Sequence, residues 1–372
     1  MYMKKIIALV VVLFSLAASA QNKQFYLLIG TYTTDIHVYK FNTADASIKF
    51  VSKISGATNP SYLAITRDGK FVYAVNENSQ EQKGGVSSFS FDKTKGNLQF
   101  INTVSSGGDG PCYVDVDSTG KNVVCANYNA GNLSSFKVNA DGSLQPAAQT
   151  IDHQGYSTNF TRQSKPHVHC TVFSPDGKYV FSNDLGTDKI YQYKFDANAA
   201  VPLNEDDFST TEVPDGSGPR HITFHPNGKY AYLINELFGT VIAYEYKDGK
   251  LIEMQNIVSD NTGGKQDKGS ADIHITPDGK YLYTTNRASA NDITIFRVGS
   301  TGMLTEIGHQ STMGIHPRNF AIDPTGKFLL VANRDSNNIV VFTIIKSTGF
   351  LQPANNTIQL EKPVCLKFTD IK

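Results

Sequence analysis

Short apolar runs alternate with polar residues and recur along the chain at intervals of about 50 residues. The plainest copy reads Ile222-Thr-Phe224, then Pro226-Asn-Gly-Lys229, then Tyr230-Ala-Tyr-Leu-Ile234, and ends in Asn235-Glu236. This pattern predicts a strand, a tight turn and a second strand with a polar exit. Gly-Lys turns at Gly69, Gly120, Gly177, Gly279 and Gly326 anchor five further copies, and the gaps between the six are 51, 57, 51, 51 and 47 residues. Two more strand-like segments follow each copy, as 240–246 and 251–258 do here. Helical periodicity is almost absent. Four short strands per period, joined by Asp-Gly, Asn-Gly or Lys-Gly turns, form an antiparallel sheet that cannot bury both faces alone. Radial stacking of such sheets gives one continuous core with short protected edges.

The chain ends set the number of sheets. Three strands, at 25–30, 36–41 and 48–53, precede the first copy and lack a partner. The C-terminal Pro363-Val-Cys-Leu-Lys-Phe368 has the shape of Pro317-Arg-Asn-Phe-Ala-Ile322, so it is expected to be the innermost strand of the N-terminal sheet. The expected fold is therefore all-β, a seven-bladed propeller of four-stranded antiparallel blades, forming a single domain over 21–372. A period of about 51 residues divides the 352 residues after position 20 into close to seven. Removing the closing strand would leave an open sheet edge. The stretches 152–166, 201–218 and 261–269 read as loops that feed inner strands on the face where an axial ligand enters.

The first twenty residues stand apart. Lys4 and Lys5 precede the apolar run 6–16, and Ala18-Ser-Ala20 completes a cleavable signal peptide. The run is shorter than the roughly 20 residues needed to cross a bilayer, so an exported chain is expected, periplasmic or secreted, with no membrane insertion after cleavage. Lys plus Arg and Asp plus Glu stand at 34 each, which argues against nucleic acid or an anionic membrane as partner. Four Cys, at 112, 125, 170 and 365, form no Cys-x-x-Cys pair; they read as buried free thiols, with a disulfide between Cys112 and Cys125 on neighbouring strands as the alternative that export permits. A monomer or weak dimer is expected.

Alignment on the turn glycine gathers polar residues at one end of the channel. Eight residues before it stand Ser61, Cys112, His169, Arg220, Ala271 and Arg318; seven after it stand Asn76, Asn127, Asp184, Asn235, Asn286 and Asn333. The next position holds Glu77, Tyr128, Leu185, Glu236, Arg287 and Arg334. The recurring Asn reads as structural, because a short amide replaces missing ladder bonds at a strand end. His169, Arg220, Glu236 and Arg287 differ in type within equivalent slots, which marks them as a functional set or as a salt-bridge network lining the channel. Paired arginines grip a carboxylate or phosphate and offset an oxyanion; Glu236 is a base for water and His169 a proton donor or acceptor near neutral pH. Glu77, Tyr128, His167, His221, Arg318 and Arg334 complete the list as substrate-binding candidates.

A metal centre is weighed and set aside. His221, His274 and His316 fall one per blade, and His167 and His169 are assigned to opposite faces of one strand. Asp184-Leu-Gly-Thr-Asp188 lacks the dense oxygen run that calcium takes. No metal and no cofactor are expected.

Ile29-Gly-Thr-Tyr-Thr33, Val75-Asn-Glu77, Pro166-His-Val-His169, Asp184-Leu-Gly-Thr-Asp188, Gly218-Pro-Arg-His221, Ile234-Asn-Glu236, His316-Pro-Arg318 and Val331-Ala-Asn-Arg334 together resemble the lactonase family of seven-bladed propellers. That family holds bacterial 6-phosphogluconolactonases and the fungal carboxymuconate-lactonising enzyme. The resemblance covers nearly the whole chain after position 20. It implies hydrolysis of a sugar-type lactone, and it implies that His169, Arg220, Arg287 and Glu236 correspond to the acid–base and carboxylate-binding residues of the lactonising enzyme. The family pattern commonly continues Gly-His where this chain has Ala288-Ser289, a departure that touches substrate contact. No Gly-x-Ser-x-Gly elbow is present, so direct attack by water is expected rather than an acyl-enzyme. The expected partner is an anionic or polyhydroxylated lactone; for an exported chain this means a free sugar lactone or another extracellular lactone. The competing readings are a non-catalytic propeller binding acidic sugars or proteins, and a carboxymuconate-type lactonising cycloisomerase.

Overall fold

The computed structural model describes residues 23–78, 84–263 and 268–371. The proposed signal peptide, residues 1–20, lies outside them. The described residues form twenty-eight strands in seven four-stranded antiparallel sheets, the seven-bladed propeller that the repeat predicts. Blades are numbered here from the N-terminus. Blade 1 has the order Pro363–Asp370, Gln24–Thr31, Asp35–Asn42, Ile48–Ser55, so the last strand of the chain closes the first blade. Its pairing is extensive, from Phe25 opposite Asp370 to Gly30 opposite Cys365.

The inner strands of blades 2 to 7 are Leu63–Ile65, Pro111–Val116, Val168–Phe173, Pro219–Phe224, Ser270–Ile275 and Pro317–Ile322. The core lies between neighbouring blades, where the apolar faces of adjacent sheets meet: Leu27 and Ile29 of blade 1 cluster with Leu330 and Ala332 of blade 7. A second device repeats around the ring. Tyr73, Tyr232 and Tyr283 reach across to the outer hairpin of the next blade and donate to the carbonyls of Gly142, Gly302 and Gly349. These hydroxyls lie in apolar surroundings and each needs such an acceptor. All six turn glycines have φ between 66° and 71°, the left-handed conformation that only glycine adopts without strain.

One expectation is corrected. The stretch 201–218 is not wholly loop, because Leu203–Glu212 is the outer strand of blade 4. Nine of its ten residues are not buried, so no apolar alternation marked it in the sequence; only the ladder to Lys189–Phe195 defines it. Loops do occupy 153–167 and the described parts of 259–269.

Candidate active site

Two backbone devices place the site. In blades 1, 3, 4, 5 and 7 the inner strand opens with a register shift that skips Val364, Cys112, His169, Arg220 or Arg318: Pro219 pairs with Asn235 and His221 with Ile234, leaving Arg220 without a partner. Such a bulge breaks the in–out alternation and re-aims one side chain. All five residues accordingly line the channel. The second device lies at the exit of the neighbouring strand. The amides of Tyr32, Glu77, Tyr128, Leu185, Glu236, Arg287 and Arg334 donate to the carbonyls of Lys362, Asn59, Gly110, His167, Gly218, Gly269 and His316. One residue from every blade is thus held at the channel mouth.

Side chains from these two tiers, with Arg162 from the 153–167 loop, enclose a cavity of about 200 Å³ lined by Tyr32, Glu77, Cys112, Tyr128, Arg162, His169, Glu236, Arg287 and Arg318. Glu236 is buried and meets three guanidinium groups. Its Oε2 accepts from Arg220 Nε and lies equally close to Arg287 Nη2, both at 2.9 Å, while Oε1 accepts from Arg162 Nη2 at 2.6 Å. Burial pushes the Glu236 carboxyl up, yet Arg287, Arg220 and Arg162 outweigh it and hold the group well below the usual carboxylate range. Burial, then the charges of Arg220 and His221, drive His169 well below the usual imidazole value; it is neutral at neutral pH. Burial likewise lowers Arg287, to about 10, against the pull of Glu236, so it stays charged.

Arg318 differs from the other arginines. Among the described residues its guanidinium donates no hydrogen bond; it lies 3.8 Å from Glu77 and 5.3 Å from the centre of the Tyr32 ring. Glu77 accepts from the hydroxyls of Tyr32, at 2.9 and 3.0 Å, and Ser61. Among the described residues, Arg162, Arg220, Arg287 and Arg318 thus meet only two carboxylates, Glu77 and Glu236. The mouth carries two positive charges in excess, and one guanidinium fork open to a ligand.

The sequence matches the lactonase, 7-bladed beta-propeller family over residues 26–368. The chain belongs to the lactonase family of seven-bladed β-propellers. Among its relatives, a 6-phosphogluconolactonase of Formosa agariphila is 40% identical over 307 residues, 80% of this chain and 86% of the relative. A 6-phosphogluconolactonase of Bacillus subtilis is 36% identical over 350 residues, 91% of this chain and 97% of that one. A solved structure of the Pseudomonas aeruginosa periplasmic gluconolactonase superposes with a TM-score of 0.88 at 34% identity, covering 94% of this chain and all of that one.

Within this lactonase fold the predicted residues separate by depth. Glu77, Tyr128, His169, Glu236, Arg287 and Arg318 line the mouth cavity. Arg220, 1% exposed, lies beneath Glu236 and spends its fork on that carboxylate, the Ala271 carbonyl and the His221 ring. His221 lies on the channel floor, its Nδ1 2.8 Å from Asp272, where burial and Arg220 lower it to about 3. Asp272 also meets His274 and Asn319. Arg334 stays at the rim with Asp335 and His316. His167 stacks on Tyr128 at 4.4 Å and His169 meets the same ring edge-on at 5.4 Å. Their assignment to opposite faces of one strand is therefore corrected: His167 precedes the strand Val168–Phe173 and His169 is bulged out of its ladder, so both rings reach Tyr128.

The Asn tier is occupied structurally. Asn127, Asn286 and Asn333 donate to the carbonyls of Ser106, Ser259 and Thr312 and to a side chain five or six residues on. Asp184 and Asp188 accept from the amides of His167, Gly186, Gly216 and Gly218, so both serve to fix loops. The four cysteines are free and buried.

Two cavity residues escaped the alignment. Tyr32 is the blade 1 member of the exit tier, hidden because that blade is built from both chain ends and has no Gly-Lys turn to align. It stood inside the quoted Ile29-Gly-Thr-Tyr-Thr33 motif. Arg162 lies on an insertion outside the repeat; the only signal was the length of the loop.

Proposed function

We propose that this protein hydrolyses a sugar-type lactone, in the manner of a 6-phosphogluconolactonase, by direct attack of water on the cyclic ester. One observation carries this reading: an excess of positive charge at the mouth, with the open guanidinium of Arg318 beside an anchored carboxylate. A lactone develops negative charge on its carbonyl oxygen as water adds, and preorganised donors in a water-poor cleft stabilise that charge most. Arg318 and Arg287 supply them.

Glu236 has two unlike oxygens. Oε2 is fixed by two buried arginines, whereas Oε1 is held by Arg162 alone, whose side chain is 40% exposed. A polyhydroxylated substrate whose hydroxyls draw Arg162 off Glu236 frees Oε1 to take a proton from water. The C–O(water) bond forms, the oxyanion collapses, the ring C–O bond breaks, and the proton returns to the departing ring oxygen from Glu236 or through neutral His169. The product is the open hydroxy acid. Arg220 does not touch substrate in this scheme; it positions Glu236.

We further propose that the reaction takes place outside the cytoplasm on a free aldonolactone, a reading supported by the signal-like residues 1–20 and by the periplasmic relative. Among the described residues no helix is long and apolar enough to cross a membrane. The test is a pH-stat assay of the chain from Gln21 with δ-gluconolactone, its 6-phosphate and several γ-lactones, corrected for spontaneous hydrolysis. Turnover of a δ-aldonolactone is expected. Rates equal to the spontaneous ones for every lactone would leave a binding propeller as the reading.

A further inference from the structure

A second depression adjoins the mouth. It has a volume of about 670 Å³ and is walled by Phe160, Leu237 and Phe238 together with Thr158, Asn159 and Thr161. Arg162 lines both this groove and the mouth cavity, so the two meet at one side chain. The mouth, at about 200 Å³, is ring-sized, while the groove falls in the range of roughly 300–1,000 Å³ typical of ligand pockets.

The loop that forms the groove is firmly built yet leaves its aromatics bare. Gln163, fully buried, donates to the Leu185 carbonyl at 2.9 Å; Ser157 donates to the Asp188 carboxylate, and its amide to the Gln163 carbonyl at 2.9 Å. Gly216, at φ 88°, lets the facing chain pack close, since a Cβ there would come within 3.1 Å of Phe238 and of Thr158. On this anchored loop Tyr156 and Phe160 are 69% and 72% exposed, the largest values among the large hydrophobic side chains described. Their rings lie nearly parallel, 25° apart with centroids 6.5 Å apart. Leaving paired aromatics in water beside a catalytic mouth is unfavourable unless a ligand covers them.

Charge selects the occupant. Lys268, the groove's other cation, spends its ammonium on the Asp260 carbonyl at 2.6 Å and on the Asp260 carboxylate, and Arg162 is spent on Glu236 and Tyr128. The groove's two described cations are thus already paired with carboxylates, in contrast to Arg318 in the mouth. What remains is an aromatic surface flanked by hydroxyl and amide groups. That combination suits a neutral pyranose, with its apolar C–H face on a ring and its hydroxyls on Thr and Asn.

We propose that this groove is a subsite for a neutral glycosyl group carried by the lactone, so that the preferred substrates are glycosylated aldonolactones, with the lactone ring in the mouth and the next sugar on Phe160. The proposal rests on the lactonase reading above. It is tested by comparing kcat/KM of the chain from Gln21 for maltobiono-δ-lactone and cellobiono-δ-lactone with that for δ-gluconolactone. At least one disaccharide lactone is expected to exceed gluconolactone about tenfold, through a lower KM. Phe160→Ala should cut that ratio by about tenfold, whereas Phe100→Ala, an exposed aromatic on an outer strand, should not move it. Equal or lower efficiency with both disaccharides, or a ratio unmoved by Phe160→Ala, overturns the subsite. If no lactone is hydrolysed above the spontaneous rate, the lactonase reading fails, and calorimetry with maltobionate, cellobionate and gluconate decides the groove separately. Tighter binding of a disaccharide acid that is lost in Phe160→Ala upholds it; equal binding of all three overturns it.

Discussion

Glu77 and Glu236 occupy the same slot of the repeat, three blades apart in a ring of seven, yet their surroundings are opposite. Glu236, with 6% of its side chain exposed, is gripped by three guanidiniums. Glu77, 22% exposed, accepts from two hydroxyls and has one arginine at 3.8 Å. The backbone delivers a carboxylate to each place with the same hydrogen bond; the neighbouring blades decide what it can do. On the blade 5 side, arginines from blades 5 and 6 and from the insertion loop organise a fixed anion. On the blade 2 side, Tyr32 and Ser61 hold a carboxylate that steadies Arg318 while leaving that arginine's donors open. We therefore assign proton transfer to the Glu236 side, and to the Glu77 side the holding of the substrate and its carbonyl oxygen through Arg318.

The sharpest way to break this division is the pair Glu236→Gln and Glu77→Gln. Glu236→Gln is expected to lower kcat about 10²- to 10⁴-fold with little change in KM, the usual cost of removing a general base. Circular dichroism must accompany it, since two buried arginines, Arg220 and Arg287, lose their counter-charge, at a cost of about 3–5 kcal/mol. Glu77→Gln should act mainly on KM, raising it about tenfold. Loss of kcat in Glu77→Gln alone would reverse the assignment.

Arg318→Ala comes next. Removal of an oxyanion donor is expected to lower kcat/KM about 10²-fold in steady-state assays, and Arg318→Lys should restore only part of it, because an ammonium lacks the planar fork.

Arg162→Ala tests the proposed release of Oε1 through pH. The folded-state pKa of Glu236 lies below its unfolded value. Its ion pairs therefore stabilise the fold fully above the unfolded value of about 4.3 and are lost as pH falls through the folded one. Without Arg162 one lowering charge is gone, so the acid limb of kcat/KM and the acid-unfolding midpoint should both move to higher pH. An unmoved acid limb would exclude Glu236 as its source.

The smallest effect belongs to Ala288, which follows Arg287 at φ 52°. Ala288→Gly relieves a left-handed alanine and should stabilise by about 1 kcal/mol, seen as a rise of about 1–3 °C in the unfolding midpoint.

Much of the architecture could be read from the chain because a propeller writes itself as a period. The Gly-Lys turns, the strand pair around each and the stray C-terminal Pro363-Val-Cys-Leu-Lys-Phe368 led to the ring and its closure. The same alignment reached Glu77, Tyr128, His169, Glu236, Arg287 and Arg318, all of which line one cavity. It could not rank them by depth: Arg220 and His169 share a slot, yet the former is sealed under Glu236 while the latter faces the mouth. Nor could it find Tyr32, whose blade is split between the chain ends, or Arg162, which belongs to no repeat. The outer strand Leu203–Glu212 was missed because an exposed edge strand needs no alternation.

What the amino-acid order determined alone was whatever recurs: strand spacing, turn glycines with positive φ, amides at strand exits and two slots for variable side chains. These follow from local rules that each blade satisfies for itself. Tertiary structure alone decided which variable residues meet, because blades far apart in the chain converge on one axis and a guanidinium's role depends on which carboxylates lie within about 4 Å of it. The two open features of the molecule, Arg318 in the mouth and the bare aromatic pair beside it, come from that convergence and from one loop outside the period.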